Sequence, residues 1–172
     1  MDLIKTLRGA AALVSLVAAS TLSAQESGIA VGSKAPGGLL EALDGKPADL
    51  GALVGTGPTV IEFWATWCGP CVQELPGYIA LQNKYGAQGV AVIGVSLDTI
   101  APAEVQKFAK SKGINYTVVM GDDAIQKAFG AIDAIPTTFL IDRQGRIRDR
   151  KTGSEETESY ERKIRAVLDE KA

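Results

Sequence analysis

The chain has 172 residues, 46% of them apolar, and this length suits one domain with a sizeable hydrophobic core. Its 18 basic and 20 acidic side chains give a net charge of -2, whereas a nucleic-acid-binding surface needs a concentrated basic face, so we expect no nucleic-acid partner. The sequence has no His, which excludes Ser–His and Cys–His nucleophile pairs, His-ligated metals and histidine proton shuttles. Its two Cys both lie in one Cys-x-x-Cys motif, at Cys68 and Cys71.

The first 24 residues have the pattern of a secretory signal peptide. Lys5 and Arg8 precede an uncharged, mostly apolar run over residues 9–22, and small residues follow up to Ala24. The run is short, since a membrane-spanning helix needs about 20 apolar residues. We therefore predict cleavage after Ala24, with an uncleaved membrane anchor over residues 9–22 as the alternative. Residues 25–172 then form one exported domain, periplasmic in a bacterium, in an oxidising compartment.

Beyond this segment the sequence alternates strand and helix patterns. Asp44-Gly45 favours a tight turn between two strands, Pro102 is typical of the first turn of a helix, and Asp122 is a typical N-cap. This order predicts an α/β fold with a central mixed β-sheet flanked by helices. The predicted elements are a hairpin over 39–50, a loop over 51–58, strands over 59–64, 90–95 and 114–120, helices from the Cys motif to 85, over 102–112, 122–129 and 155–169, and a hairpin of 137–142 with 146–150.

The Cys motif follows a buried strand pattern and opens a helix. The N-terminus of a helix presents free N–H groups and a partial positive charge, so we expect a lowered pKa and a nucleophilic thiolate at Cys68. Gly69 and Pro70 suit the first helical turn, where the N–H that Pro lacks is not needed. Cys71 then lies one turn further on the same face and can attack a mixed disulfide at Cys68. We interpret the pair as an exposed nucleophile and a shielded resolving thiol.

A Cys-x-x-Cys pair also occurs in zinc sites and as inert core residues. Zinc needs about four ligands, and this chain has no further Cys and no His, so we predict no metal site. A disulfide that closes so short a loop removes little entropy from the unfolded chain and adds little stability. The residues therefore favour redox chemistry, with no cofactor beyond the redox-active disulfide Cys68–Cys71.

Two segments resemble the thioredoxin superfamily. One is Phe-Trp-Ala-Thr-Trp-Cys-Gly-Pro-Cys over residues 63–71, and the other is Ile-Pro-Thr-Thr-Phe over residues 135–139. The resemblance implies a thioredoxin-like fold in which the bond before Pro136 is cis, Pro136 faces the Cys pair, and Ile135 offers backbone hydrogen bonds to a bound substrate chain. Only about 5–6% of X–Pro bonds are cis, so the residues alone would predict a trans bond.

Residues 30–170 are similar to the exported branch of this superfamily, the TlpA/ResA-like thioredoxins. The signal peptide, the early hairpin, the extra segment at about 98–122 and the residues 137–145 carry this resemblance. It implies a thioredoxin-like sheet with an N-terminal β-hairpin and a central insertion. The spacer Gly69-Pro70 departs from this branch, where other residues often separate the cysteines, and matches ordinary thioredoxins. If the spacer tunes the reduction potential, it favours a reductant.

Glu62 lies six residues before Cys68 in an otherwise apolar strand pattern. An ionised carboxylate is costly to bury, so we expect a raised pKa at Glu62. Its position matches the buried acid of thioredoxins, usually Asp, and the resemblance implies that Glu62 exchanges a proton with the resolving thiol of Cys71. The alternative is a Glu62 that points to solvent or pairs with a Lys.

Glu74 follows Cys71 by three residues and precedes Pro76 by two. This Cys-x-x-Glu-x-Pro pattern resembles ResA-type proteins, which implies that Glu74 influences the pKa of the thiols. The alternative is an ordinary carboxylate in the first turns of the helix. Pro76 is expected to kink the helix, because it removes one helical hydrogen bond.

The two Trp residues flank the strand end and receive different predictions. Trp67, directly before Cys68, is predicted to be exposed and to form an apolar docking surface for substrate with Gly69 and Pro70. Trp64, at the end of the strand pattern, is predicted to lie in the core.

These features predict an exported thiol–disulfide oxidoreductase that reduces protein disulfides through Cys68 and Cys71. The resemblance implies apocytochrome c or the thiols of copper centres as candidate substrates, and a membrane thiol carrier as the electron donor. Nothing in the sequence requires more than a monomer.

Functions of other classes stay open. A peroxiredoxin-like peroxidase shares the fold but usually needs an activating Arg and a Thr-x-x-Cys context, whereas Thr66 lies only two residues before Cys68. A non-enzymatic carrier of copper or zinc would have only the thiol pair, since His is absent and Met120 is the only Met after the first residue. A disulfide isomerase or oxidant is a further alternative, although isomerases are usually dimers with an added domain.

Overall fold

The computed structural model describes residues 29–55 and 57–170, so the predicted signal peptide and anchor lie outside the described residues. Within these residues no helix is long and apolar enough to cross a membrane. The elements, in chain order, are β1 (Leu39–Ala42), β2 (Pro47–Asp49), α1 (Leu50–Val54), β3 (Thr59–Trp64), α2 (Gly69–Tyr85), β4 (Ala91–Ser96), α3 (Pro102–Lys112), β5 (Thr117–Met120), α4 (Asp123–Ala128), β6 (Thr137–Ile141), β7 (Ile147–Thr152) and α5 (Thr157–Asp169).

The strands form one mixed sheet in the order β2-β1-β5-β4-β3-β6-β7. β3, β4 and β5 are parallel, whereas β1 pairs antiparallel with β5 and β6 pairs antiparallel with β3. β3 and β4 are nearly continuous apolar runs because helices cover both of their faces. The predicted α/β fold with a mixed sheet and an N-terminal hairpin is confirmed. The predicted central insertion forms α3 and β5, and the hairpin of β1 and β2 pairs with it.

Alternate side chains of β3 point to opposite faces of the sheet. Ile61 and Phe63 belong to the core on the side of α1 and α4. Val60 and Trp64 belong to the core on the side of α2, α3 and α5. Glu62 lies between Val60 and Trp64 on the strand and therefore shares the face that packs against α2.

Part of the predicted loop over 51–58 is in fact helix α1. Asp49 caps this helix, since its carboxylate accepts hydrogen bonds from two amides of the first turn. Leu50 and Val54, four residues apart, are both buried against the core. So short a helix has little stability of its own, so the N-cap and the burial of its apolar residues are what stabilise it. Elsewhere the observed ends of the helices and strands differ from the predicted ends by up to three residues. For example, β5 begins at Thr117 and not at residue 114.

Candidate active site

Cys68 lies where the turn after β3 meets the first residue of α2. Its amide donates a hydrogen bond to the carbonyl of Ala65 at 3.1 Å, which closes the turn. Cys68 is the N-cap of α2, and its Sγ accepts a hydrogen bond from the amide of Cys71 at 3.3 Å. Pro70 occupies the first turn, as predicted. The start of the helix therefore directs amide groups and a partial positive charge at the Cys68 sulfur, which favours its thiolate when the pair is reduced.

A disulfide joins Cys68 to Cys71, so the structure shows the oxidised form of the pair. Cys71 is fully buried and Cys68 is only 5% exposed. The prediction of an exposed Cys68 is wrong for this form, because its sulfur is bonded to a residue inside the core. Cys68 is nevertheless the more accessible of the two, so an incoming thiol or thiolate reaches it first.

Exposed residues surround the approach to Cys68. Trp67 is 70% exposed, and Gly69 and Pro70 are also exposed. Trp64, in contrast, has no exposed surface and lies within the core. The predicted difference between the two Trp side chains is confirmed, and the docking role of Trp67, Gly69 and Pro70 stays a prediction.

Asp98 anchors the turn that presents Cys68. Its Oδ2 accepts a hydrogen bond from the amide of Thr66 at 2.9 Å, and its Oδ1 accepts one from the hydroxyl of Thr66 at 2.6 Å. Oγ of Ser96 also donates to Oδ2 at 2.8 Å. The turn after β3 is therefore tied to the end of β4. Asp98 is not among the site residues predicted from the sequence, although its place just after a strand parallel to β3 puts it at the same edge of the sheet.

The Ile135–Pro136 peptide bond is cis, as the resemblance implies. Pro136 is buried, and half-buried Ile135 packs against the core cluster that contains both Cys. The loop is held on both sides, because the amide of Gly153 donates to the carbonyl of Pro136 at 2.8 Å and Oγ1 of Thr137 donates to the carbonyl of Ala134 at 2.7 Å. Among the described residues, none is hydrogen-bonded to the amide or carbonyl of Ile135. Both groups are therefore available to a bound chain.

Glu62 has no exposed surface. Its Oε1 accepts a hydrogen bond from Oη of Tyr116 at 2.8 Å, and its buried Oε2 has no partner among the described residues. Burial raises the pKa of Glu62 to about 8, while the hydrogen bond from Tyr116 lowers this pKa and the charge of Glu74 raises it. The alternatives of a solvent-facing or Lys-paired Glu62 are therefore wrong. Tyr116 is not among the predicted site residues, because no local pattern in the sequence links it to Glu62.

Glu74 is half-buried, one turn after Cys71 on α2. Its Oε1 accepts a hydrogen bond from the amide of Glu155 at 2.7 Å, and it lines a polar pocket of about 340 Å³ beside residues 154–157. Burial raises the pKa of Glu74, and the hydrogen bond from Glu155 lowers it. Glu74 therefore joins α2 to the segment before α5 and acts on Glu62 through its charge. Its influence on the thiols stays a prediction. Pro76 lies inside α2.

A disulfide at a helix start, a neighbouring cis-proline and a buried acid on this sheet place the protein in the thioredoxin-like class. The family model described as Redoxin matches residues 30–168. The thiol-disulfide oxidoreductase ResA of Geobacillus thermodenitrificans is 33% identical over 144 residues, which cover 83% of this chain and 81% of the relative. ResA of Bacillus subtilis is 38% identical over 132 residues, which cover 76% of this chain and 72% of the relative.

Solved structures agree with these sequence matches. A structure from Chlorobium tepidum assigned as a thiol:disulfide interchange protein DsbE superposes with a TM-score of 0.74 and 31% identity, over 81% of this chain and 99% of that one. The chain belongs to the Redoxin family and is a TlpA/ResA-like member of the thioredoxin superfamily. It is a thioredoxin-like disulfide oxidoreductase with Cys68 and Cys71 as its Cys-x-x-Cys pair.

Proposed function

We propose that the protein is an exported reductant of protein disulfides that works through a mixed disulfide at Cys68. The observation that carries this proposal is the unequal surroundings of the two sulfurs. Cys68 lies at the start of α2 on the solvent side, whereas Cys71 is fully buried on the face of α2 that packs over Glu62. One sulfur is therefore placed to attack a substrate and the other to release it.

In the first step the Cys68 thiolate attacks one sulfur of the substrate disulfide. A bond forms between Cys68 and that sulfur, the substrate S–S bond breaks, and the other substrate sulfur leaves as a thiolate. The amides at the start of α2 stabilise the Cys68 thiolate before the attack. Trp67 is exposed next to Cys68, and the backbone groups of Ile135 have no hydrogen-bond partner among the described residues, so both are available to hold a substrate chain.

In the second step Cys71 releases the substrate. Its thiol loses a proton to the carboxylate of Glu62, and the Cys71 thiolate attacks the sulfur of Cys68. The Cys68–Cys71 disulfide forms while the bond from Cys68 to the substrate breaks. Two electrons have then passed from the dithiol to the substrate, and no further cofactor takes part.

The cellular setting is part of the proposal. The signal-peptide pattern over residues 1–24 supports export to a periplasm, with residues 9–22 as an anchor if cleavage does not occur. A reductant there needs electrons from a membrane thiol carrier, because soluble cytoplasmic systems do not reach that compartment. Apocytochrome c and the thiols of copper centres are the candidate substrates, and we expect a monomer.

Trapping with single Cys variants tests this function. Cys71→Ser is expected to accumulate a disulfide-linked complex in periplasmic extract, since the first step proceeds and the second cannot. Cys68→Ser, the matched control, is expected to trap nothing and to have no reductase activity. A Cys71→Ser protein that forms no reducible complex would contradict the proposal.

The structure also bears on the peroxidase alternative. The hydroxyl of Thr66 donates to Asp98 at 2.6 Å, so its proton is already used and is not available to a peroxide at Cys68. We therefore expect peroxide consumption no faster than that of a free dithiol. A faster rate that depends on Cys68 would favour the peroxidase over the reductase.

A further inference from the structure

Glu62 lies in a buried layer between the sheet and α2. Its neighbours along the same face of β3 are Val60, which belongs to the same buried cluster as Tyr78, and Trp64, which belongs to the same buried cluster as Cys71. Cys71 and Tyr78 lie two turns apart on one side of α2. The carboxyl group therefore lies away from solvent on the sheet face that α2 covers, the face on which Cys71 and Tyr78 are also buried.

Within the described residues a single side chain donates a hydrogen bond to Glu62. Oη of Tyr116 donates to Oε1 at 2.8 Å, whereas the buried Oε2 has no partner there. Burial raises the pKa of Tyr116 well above its usual value, so the phenol keeps its proton and stays a donor. Tyr116 directly precedes β5 and comes from the central insertion, not from the segment that carries the Cys motif.

The strand β4 closes the Oε1 side of the carboxyl group. Gly94 is the register partner of Glu62, and a Cβ placed there would lie 3.5 Å from Oε1 of Glu62 and 2.9 Å from Nε1 of Trp64. Oε1 thus faces the hydroxyl of Tyr116 and the backbone of Gly94. Oε2 is the oxygen left for another partner.

We propose that Tyr116 is a positioning residue that holds Oε1 of Glu62, so that Oε2 takes the proton from Cys71 when the mixed disulfide is resolved. This inference rests on the proposed function and deepens it. As the Cys71 S–H bond breaks, its proton moves to Oε2 and its sulfur attacks Cys68. The bond from Cys68 to the substrate breaks, and the departing thiolate takes a proton from solvent. The hydrogen bond from Tyr116 favours the carboxylate, so Glu62 can act as a base at a lower pH than burial alone would allow.

The other ionisable groups near Glu62 do not favour its ionised form. The charge of Glu74, from α2, disfavours the ionised form of Glu62. The hydroxyl of Tyr78, also from α2, is hydrogen-bonded to a threonine of β6 at 2.9 Å. Tyr160, from α5, packs on the ring of Tyr78 with 5.6 Å between ring centroids. Tyr116 is therefore the described group that favours ionisation of Glu62.

The test is the titration of Glu62 in Tyr116→Phe, followed in the oxidised protein by NMR of glutamate labelled with ¹³C at the side-chain carboxyl. Glu62→Gln identifies the Glu62 signal by its loss. Tyr78→Phe is the matched control, because it removes a buried phenol hydroxyl from the same layer but not from Glu62. We expect a wild-type midpoint near pH 8. Tyr116→Phe is expected to raise it by about one pH unit, which is the effect of losing a hydrogen bond to a charged group, and Tyr78→Phe to leave it unchanged.

The second readout is the rate at which a preformed mixed disulfide at Cys68 is resolved. Its pH profile is expected to move upward in Tyr116→Phe together with the NMR midpoint. An unmoved midpoint, an equal shift in both variants, or a moved midpoint with an unmoved profile would each overturn the inference. A protein that titrates as expected but forms no mixed disulfide supports the contact of Tyr116 with Glu62 and overturns the proposed function instead.

A measurement without a large structural change covers the case in which Tyr116→Phe does not fold. Incorporation of 3-fluorotyrosine keeps every ring in place and makes each phenol a stronger hydrogen-bond donor. Since Tyr116 is the described phenol that donates to Glu62, the midpoint of Glu62 is expected to fall. An unchanged or raised midpoint would overturn the inference.

Discussion

The two sulfurs of the active site lie three residues apart but border two very different regions. The access rim, on the solvent side of Cys68, consists of Trp67, Gly69, Pro70 and Ile135. The buried layer, under α2, consists of the buried Glu62 and Tyr78 with the half-buried Glu74 and Tyr116 at its edge. The rim offers apolar surface and backbone groups, whereas the layer offers a carboxyl group of raised pKa and its hydrogen-bond donor.

The difference indicates that the surroundings of the two sulfurs, more than the motif itself, would give them the separate roles proposed above. Amides at the start of α2 face the sulfur of Cys68, and under the proposed function the buried Glu62 takes the proton of Cys71. Changes in the layer should therefore alter protonation and stability, while changes in the rim should alter substrate binding.

The largest expected effect is on the pH dependence of stability in Glu62→Gln. The pKa of Glu62 is about 8 in the folded protein and near 4.5 in the unfolded chain, so the folded state holds the extra proton between these values. The stability that the protonated Glu62 gives the folded state is fully present below about pH 4.5 and is lost as the pH rises through about 8. In that window wild-type stability falls by up to about 1.4 kcal/mol per pH unit, and Glu62→Gln lacks this loss.

Urea unfolding of the oxidised proteins at pH 5 and pH 9 measures this effect. The stability of Glu62→Gln relative to the wild type is expected to rise between the two values. Parallel stability curves for the two proteins would show that Glu62 is ionised in the folded state, and the buried layer would then not hold a base.

A second effect is expected at the turn that links the rim to the sheet. Asp98→Ala removes the acceptor for the amide and hydroxyl of Thr66 and should destabilise the protein by about 2 kcal/mol. It should also slow alkylation of Cys68 in the reduced protein. The released turn no longer holds the Cys68 sulfur against the amides at the start of α2, so the reactive thiolate is less stabilised. Asp122→Ala, which removes the cap of α4, is the control. Equal alkylation rates for the two variants would contradict a positioning role of Asp98.

In the rim, Trp67→Ala is expected to raise KM for a protein disulfide about tenfold, because an exposed aromatic contact is lost. The rate with a small-molecule disulfide is expected to stay unchanged. Leu39→Ala serves as the control, since Leu39 is 72% exposed but lies on β1. A similar KM change in both variants, or none in either, would show that the rim does not bind substrate.

The smallest effect is expected from Glu74→Gln. The Gln side chain keeps an oxygen that can accept from the amide of Glu155, but the charge that raises the pKa of Glu62 is gone. The Glu62 midpoint should therefore fall by a fraction of a pH unit in the NMR titration. Glu104→Gln removes an exposed charge from α3 and should not move it. A raised midpoint in Glu74→Gln would show that the two carboxylates do not repel each other.

The local parts of the active site could be predicted from the sequence. Cys68 and Cys71 at a strand-to-helix junction, and the acid of Glu62 within an apolar strand, are visible over a dozen residues because helix starts and burial have local patterns. The prediction of a cis bond before Pro136 rests on the family resemblance alone, because the residues by themselves favour a trans bond.

The parts that the sequence did not reveal depend on contacts between distant segments. Tyr116 is 54 residues from Glu62, and Asp98 is 32 residues from Thr66, so both contacts follow from the order of the strands in the sheet. Helix α1 depends on its cap and on burial, which a short and weak helix pattern does not show. The low exposure of Cys68 depends on its bond to a residue inside the core.

The most direct test of the whole account is the reduction potential of the Cys68–Cys71 pair, followed by the fluorescence of Trp64 and Trp67. Thioredoxin has a potential of about -270 mV and the oxidant DsbA about -120 mV. We predict a value below about -230 mV, which is that of a reductant supplied by a membrane donor. A value above about -160 mV would show that the pair oxidises or isomerises its substrates and would contradict the proposed direction of electron flow.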